Sequence, residues 1–415
     1  MAPEDGPRQD ATWMRVLIAF DKFKGALGAA EACAVVAEVL RSERPGWELD
    51  LAPLADGGDG FCRILTAAVG GVLEQVPASG TLFSDAGARA RKPVAIGWVE
   101  LERLPARARA RLELGRSTGR LAVIELAACN GLAELPPAER DVWRSSTRGT
   151  GELLRSAAEG GADAVLLGVG GSATSDLGLG ALSALGLRFE NRSGVVLDPP
   201  LPCAWPNVTR VTGRTFSLPP LRIACDVQNP LLGPNGAAAV YGPQKGLSSE
   251  ELPHFEAEAE RLARLLCEHA GQAAELLQLP GGGAAGGIAF GLAAAAGARL
   301  VAGFELVEEW LELTSRLQRA DLVLSGEGRF DSTSLAGKGP GALAQRATRL
   351  GRRCAIFAGA VQLADSERQT LPSGLELVTI SPAHLPLEPQ LAATAENLER
   401  AVRIWLAKAS GSAVR

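Results

Sequence analysis

The sequence predicts an α/β protein with parallel strands, organised as two domains, and three observations carry this. Apolar, β-like runs recur at MRVLIAF, ADAVLLGVG, LRIACDV, ADLVLSGEG and CAIFAGA. Each is followed within a few residues by a glycine-rich or polar turn, and then usually by an Ala-, Leu- and Glu-rich helical stretch, an alternation that favours parallel strands joined by helices. At 415 residues the chain also exceeds the size at which one hydrophobic core usually stops growing.

Along the chain, MAPEDGPRQDAT is polar and lacks the basic and apolar regions of a secretory signal, so residues 1–13 are expected to be a disordered tail. The first strand leads into LGAAEACAVVAEVLRSE, whose apolar residues return at three- and four-residue spacing, as they do again in ELPHFEAEAERLARLLCEHA. Between Gly97 and Arg120, ELERLPARARARLELGRSTGR reads as a solvated surface hairpin or loop. Proline-rich stretches around Pro199–Pro206 and Pro219–Pro220 read as connectors. The uncharged run Leu279–Ala298 is built of Gly and Ala and lacks the transfer energy of a spanning helix; it reads as a buried loop and helix. No repeat of 20 to 50 residues is visible, which disfavours a solenoid or propeller.

Bulk composition narrows the function classes. With 47% hydrophobic residues, 21% charged residues and a net charge of -5, the chain has the make-up of a soluble globular protein and no basic excess for nucleic acid. A small-molecule partner is expected, without nucleic acid or membrane. Seven cysteines without a C-x-x-C pair fit reduced thiols in the cytoplasm better than disulfides or structural zinc.

The three histidines, His254, His269 and His384, lie on an amphipathic helix or beside a proline-rich tail, so carboxylates must do any proton work. A standard P-loop is excluded, because Gly339 follows Gly337 and Lys338 where Ser or Thr is required. LGVGGSATSDLGLG, Leu167 to Gly180, matches the dinucleotide pattern G-x-G-x-x-A through Gly168, Gly170 and Ala173, with Glu190 roughly where a ribose-binding acid belongs. An NAD-linked oxidoreductase is therefore one alternative. Ser172, Thr174, Ser175 and Asp176 in the same stretch suit phosphate and Mg²⁺ contacts at a helix start. LADGGDG sets Asp56 and Asp59 in one turn, where they can face a metal or an ammonium group, or serve the turn alone. Asp226 and Asn229 follow the strand LRIAC, where open α/β sheets place their ligands. Glu327, Arg329 and Asp331 alternate after another strand end, with Lys338 downstream. Nearly all basic residues are Arg, yet Lys22, Lys24, Lys245 and Lys338 fall in DKFKG, GPQKG and AGKGP, positions that suit a compact ammonium on a phosphate oxygen.

Eight ordered stretches resemble the bacterial glycerate kinase family, of the type that makes 2-phosphoglycerate. They are DKFKGALGAAE, LADGGDGF, IELAACNGL, STRGTGELL, GVGGSATSDLGLGALSALG, ACDVQNPLLGPNGAAAVYGPQKG, PGGGAAGGIAFGL and SGEGRFDSTSLAGKGP, and they cover the chain from about Arg15 to its last strands. The resemblance implies a discontinuous flavodoxin-like domain, 14–62 with 285–410, and an inserted restriction-endonuclease-like α/β domain, 63–284. It implies a cytoplasmic, ATP-dependent kinase that phosphorylates D-glycerate in an interdomain cleft, and it allows a homodimer. Ser175 stands where the family often has Asn, and Asp59 where it often has Glu.

Among the positions so matched, Asp226 is the expected base, since it follows a strand end and no histidine is available, with Asp331 the rival. Lys24 and Arg329 would clamp the glycerate carboxylate or the γ-phosphate, and Asp21 and Asn229 would join them at the substrate. Asp56, Asp59 or Glu327 would hold Mg²⁺, while Gly168, Gly170, Gly171, Ser172, Gly282 and Gly283 would receive the nucleotide phosphates. A catalytically inactive ligand-binding homologue is the remaining alternative.

Overall fold

The computed structural model describes residues 13–84, 87–88, 91–335, 339–382 and 386–411. Of the expected tail, only Trp13 falls among these; Lys338 and His384 lie outside the described residues. The strands are β1 (Arg15–Phe20), β2 (Glu48–Leu51), β3 (Val72–Ala78), β4 (Phe83–Ser84), β5 (Gly87–Ala88), β6 (Lys92–Glu100), β7 (Arg120–Glu125) and β8 (Ala164–Gly168). After these come β9 (Arg188–Glu190), β10 (Val196–Leu197), β11 (Arg210–Thr212), β12 (Leu221–Ala224), β13 (Arg299–Val301), β14 (Leu322–Asp331), β15 (Arg353–Gln362) and β16 (Leu375–Thr379). The chain divides into two compact units, Met1–Ala55 with Leu311–Arg415, and Asp56–Trp310.

The terminal unit carries a five-stranded sheet in the order β16-β15-β14-β1-β2, with every pair parallel. Numbered within this unit, the order is 2-1-3-4-5, so the chain reverses its direction of winding between β1 and β14. A strand covered on both faces needs apolar residues at successive positions, and Val16 to Phe20 are all buried. The helix Ala29–Glu43 lays Ala32, Cys33, Val36 and Leu40 on that sheet, joined by Leu398, Val402 and Trp405 of the helix Thr394–Gly411.

The middle unit is built on a six-stranded sheet, β13-β12-β8-β7-β6-β3. β3, β6 and β7 pair antiparallel, whereas β7, β8, β12 and β13 pair parallel. β9 to β11 form a small antiparallel sheet. The residues 56–62 and 285–310, expected with the terminal segments, lie within the middle unit: Ile288, Ala289, Phe290 and Leu292 join its core because the glycine-rich turn runs straight into the helix they occupy. No helix among the described residues is long and apolar enough to cross a membrane.

The Arg-rich segment is not a solvated loop. β6 runs to Glu100, and a helix spans Ala106–Arg111. Leu101, Leu104, Ala108 and Leu112, spaced by three and four residues, are buried beneath it, and the buried Arg222 guanidinium donates to the carbonyls of Leu112 (2.5 Å) and Glu113 (2.6 Å). The conspicuous arginines concealed a helical apolar stripe.

Three glycine-rich loops of the middle unit pack backbone against backbone. A Cβ on Gly170 would sit 2.7 Å from the amide nitrogen of Gly58, and one on Gly286, at φ +72°, would sit 2.1 Å from the Thr174 carbonyl oxygen. Gly170→Ala is expected to destabilise the protein by about 2–3 kcal/mol, an overpacking cost. Gly46→Ala, a position with nothing within 4 Å, is expected to cost nothing measurable. Thermal unfolding of the two variants side by side checks this, and equal midpoints would contradict the packing.

Candidate active site

In the terminal unit, charged groups collect at the carboxyl ends of β1 and β14, beside the point where the strand order reverses. Open α/β sheets place ligands there because the loops from neighbouring strands turn away in opposite directions. β1 stays in register with β14 as far as Phe20 opposite Gly326. Asp21 follows, donating its amide to the Gly326 carbonyl (2.9 Å) and accepting the Lys22 amide on its carboxylate (2.7 Å). The chain then turns tightly, with the Phe23 amide on the Leu27 carbonyl (2.8 Å) and Gly25 at φ +76°, and leaves Lys24 exposed.

β14 continues past Gly326 with β15 as its neighbour, the register holding as far as Asp331 opposite Gln362. Glu327 lies on this extension, half-buried. Burial pushes its carboxyl up to about 7, with Asp21 and Asp331 adding to the effect and contacts from Ser334 and Arg329 opposing it. Among the described residues its buried Oε1 has no hydrogen-bond partner. Asp331 has the opposite environment. The Thr333 hydroxyl (2.6 Å) and amide (2.9 Å) and the Arg329 Nε (3.0 Å) hold its carboxylate below the usual range. Such a carboxylate is a weak proton acceptor, which counts against Asp331 as a base.

In the middle unit the turn Asp56–Gly60 lies against the loop that follows β8. Asp56 accepts the Gly58 amide (3.1 Å), and the buried Glu125 accepts the amides of Gly60 (3.1 Å) and Cys62 (3.2 Å), capping the helix Phe61–Ala68. Sequence reasoning missed Glu125, although it ends the strand in IELAACNGL. The Gly170 amide donates to the Gly57 carbonyl (2.9 Å), and a Cβ on Gly168 would meet that same oxygen at 2.6 Å. Gly168 and Gly170 are therefore small so that two loops can touch. The Gly170 amide, expected on a phosphate, is already donated within the protein.

The same correction applies to Gly282 and Gly283, whose amides donate to the carbonyls of Leu279 (2.8 Å) and Asn229 (3.0 Å). Asn229, expected at the substrate, gives its side-chain amide to the Asn235 carbonyl (2.8 Å) and accepts the Tyr241 hydroxyl (2.8 Å), so it braces the loop. Asp226 lies two residues past the end of β12 and accepts the Phe304 amide on both oxygens (3.0 Å each), at the start of the helix Gly303–Trp310. Asp176 is fully buried and receives the Thr147 amide (2.7 Å) and hydroxyl (2.9 Å) and the amides of Gly178 and Gly180 (3.1 Å each), so it fixes the loop. Gly171 and Ser172 remain where the loop passes Asp59: a Cβ on Gly171 would lie 3.6 Å from the Asp59 carboxylate.

Lys245, expected as a compact ammonium on a phosphate oxygen, is instead buried beneath this loop. Its Nζ donates to Ser172 Oγ (2.8 Å) and the Thr174 carbonyl (2.7 Å).

The dinucleotide reading fails on geometry. A Rossmann turn delivers the chain from strand to helix within the glycine motif, so that the pyrophosphate meets the helix start. Here the loop Val169–Gly178 intervenes before a helix of six residues, Leu179–Ala184. Glu190, the supposed ribose acid, is occupied by the Thr212 hydroxyl (2.6 Å) and by Arg210 (3.0 Å to Nε), which hold it below the usual range.

Among the described residues no three His, Cys, Asp or Glu side chains gather as a metal cage. Mg²⁺ in phosphoryl-transfer sites is usually held by one or two carboxylates and the substrate phosphates, so a paired-Asp turn is compatible with it.

Comparisons with known proteins agree with this layout. The Glycerate kinase family model matches residues 16–408. A glycerate kinase of Bacillus subtilis (strain 168) is 34% identical over 396 residues, covering 94% of this chain and 96% of its own. The glycerate 2-kinase of Escherichia coli (strain K12) is 33% identical over 335 residues, 79% of this chain and 80% of its own. A crystal structure described as a glycerate kinase 2 from Salmonella typhimurium LT2 superposes with a TM-score of 0.69 at 32% identity, over 97% of this chain and 99% of that one. The chain belongs to the glycerate kinase family.

Proposed function

We propose that this protein transfers the γ-phosphoryl group of ATP to D-glycerate, giving 2-phosphoglycerate, with Glu327 as the base that takes the acceptor hydroxyl proton. The observation that carries the base assignment is the half-buried Glu327 carboxyl, one oxygen unpartnered among the described residues, at the reversal of strand order. A proton acceptor works best when its pKa lies near the working pH, which favours Glu327 over the salt-bridged Asp331. It also favours Glu327 over Asp226, whose two oxygens both receive the Phe304 amide. The terminal unit's strand order supports a flavodoxin-like domain, and the mixed six-stranded sheet is taken as its restriction-endonuclease-like partner.

Phosphoryl transfer asks the protein chiefly to align the acceptor oxygen and to neutralise charge that develops on the phosphoryl oxygens. Lys24 and Arg329 supply positive charge for the glycerate carboxylate or the γ-phosphate, and Asp21 orients the acceptor. Gly171 and Ser172 receive phosphate oxygens. Asp56 and Asp59 would hold Mg²⁺, which would supply positive charge to the phosphates.

Four outcomes are expected. Glu327→Gln lowers kcat by at least about 10²-fold, whereas Asp226→Asn, which keeps an acceptor for Phe304, lowers it by less than about tenfold; the reverse ranking in steady-state assays returns the base role to Asp226. The rate also depends on pH with a definite sign. Because the Glu327 carboxyl must be ionised to accept a proton, kcat/KM rises with pH up to about 7 and levels off above, and the glutamine variant loses that limb. Asp59→Asn raises the Mg²⁺ concentration needed for half-maximal rate. Phosphorus NMR of the product made from ATP, Mg²⁺ and D-glycerate tests the function itself: a signal for 2-phosphoglycerate is expected, while 3-phosphoglycerate or the absence of product contradicts it.

A further inference from the structure

We infer that Lys245 is a positioning residue, holding the Ser172 hydroxyl so that its proton points at an anionic oxygen of a bound substrate. The inference rests on the proposed ATP-dependent kinase activity.

A hydroxyl has one proton to donate and two lone pairs to accept with. Ser172 Oγ accepts from Lys245 Nζ at 2.8 Å, and among the described residues its own proton meets no acceptor. The backbone gives it little freedom to turn. Gly131 and Ser172 form a β-bridge, the Leu132 amide donates to the Gly171 carbonyl (2.8 Å), and the Ala173 amide donates to the Asn130 carbonyl (2.9 Å). Ser172 is buried but for 8% of its surface. An oxygen of a phosphate or a carboxylate is the acceptor chemistry that its remaining proton suits.

Lys245 is suited to directing this hydroxyl and unsuited to binding the anion itself. It is 2% exposed and makes no ion pair among the described residues. Its two hydrogen bonds match the two N–H donors of a neutral amine, whereas an ammonium would leave a third donor buried without an acceptor. Burial drives its pKa down to about 7, with the Asp176 carboxylate opposing. That carboxylate is occupied by Thr147, Gly178 and Gly180, and Arg140 of a neighbouring segment donates to the Gln244 carbonyl (3.2 Å). Arginine at 245 would bring a fixed fork of five donors into a space that offers two acceptors, which accounts for lysine in a chain that otherwise prefers arginine.

The test is a double-mutant cycle on the full chain, S172A, K245M and both together, with KM measured separately for ATP and for D-glycerate. Each single variant should raise the KM of the same one substrate by about ten- to a hundred-fold, the loss of one hydrogen bond to a charged group, with kcat within about threefold. The double variant should be no worse than either single one. Which KM moves identifies the anion as a phosphate of ATP or the carboxylate of glycerate. Effects that multiply, effects on different substrates, or an S172A variant with both KM values unchanged would overturn the inference. If K245M fails to fold, as judged by circular dichroism, the S172A result decides alone. A wild-type protein that does not turn over ATP and D-glycerate would instead overturn the proposed function, so the two failures are distinguishable.

Discussion

The middle unit depends on glycine backbones packed directly against one another with no side chain between them. Gly168 and Gly170 admit the Asp56–Gly60 turn, and Gly286 and Gly291 admit the segment Thr174–Leu177, where a Cβ would fall 2.1 Å from carbonyl oxygens. Because these loops touch through their main chains, they exchange amide hydrogen bonds, as from Gly170 to Gly57 and from Leu177 to Gly286. Small residues here bring polar side chains from distant stretches of sequence close together. Asp59 beside Gly171, and Lys245 beneath Ser172, are products of that packing.

The terminal unit achieves its polar cluster by different means. The inner strands of its sheet are buried and almost wholly apolar where they pair, so their charge gathers toward the strand ends, and a strand that outruns one neighbour presents its last residues at the edge of the core. β14 does this past Gly326, which places Glu327 against protein on one side while the loop Asp21–Leu27 follows on the other. Partial burial without a full set of donors disfavours the ionised carboxyl. The same strand carries Asp331 four residues on, where Thr333 and Arg329 favour the ionised form. Two carboxylates close in sequence thus acquire opposite proton affinities from their surroundings alone.

Much of this was legible in advance. Five apolar runs became β1, β8, β12, β14 and β15, because a buried parallel strand has to be continuously apolar. The stripes in Ala29–Glu43 and Leu252–Ala270 likewise announced helices. The glycine motifs were found but misread: sequence shows that a residue has no side chain, and does not show whether a ligand or another loop fills the vacated space. Gly282 and Gly283 illustrate this, their amides donating to Leu279 and Asn229. Burial was equally invisible, which is why Asp331 and Asp226 ranked above Glu327 as bases, and why the arginines between Gly97 and Arg120 hid the stripe of Leu101, Leu104, Ala108 and Leu112. Lys245 was the reverse case. Its rarity marked it, and only the folded chain gave it partners.

Amide hydrogen exchange, resolved by residue in the ligand-free protein and again with a non-hydrolysable ATP analogue, tests the central point most directly. If the glycine loops are stitched to each other, the amides of Gly170, Gly282 and Gly283 are strongly protected without nucleotide and change little when it is added. Rapid exchange at these three positions in the free protein, with protection appearing only on nucleotide binding, would contradict the account.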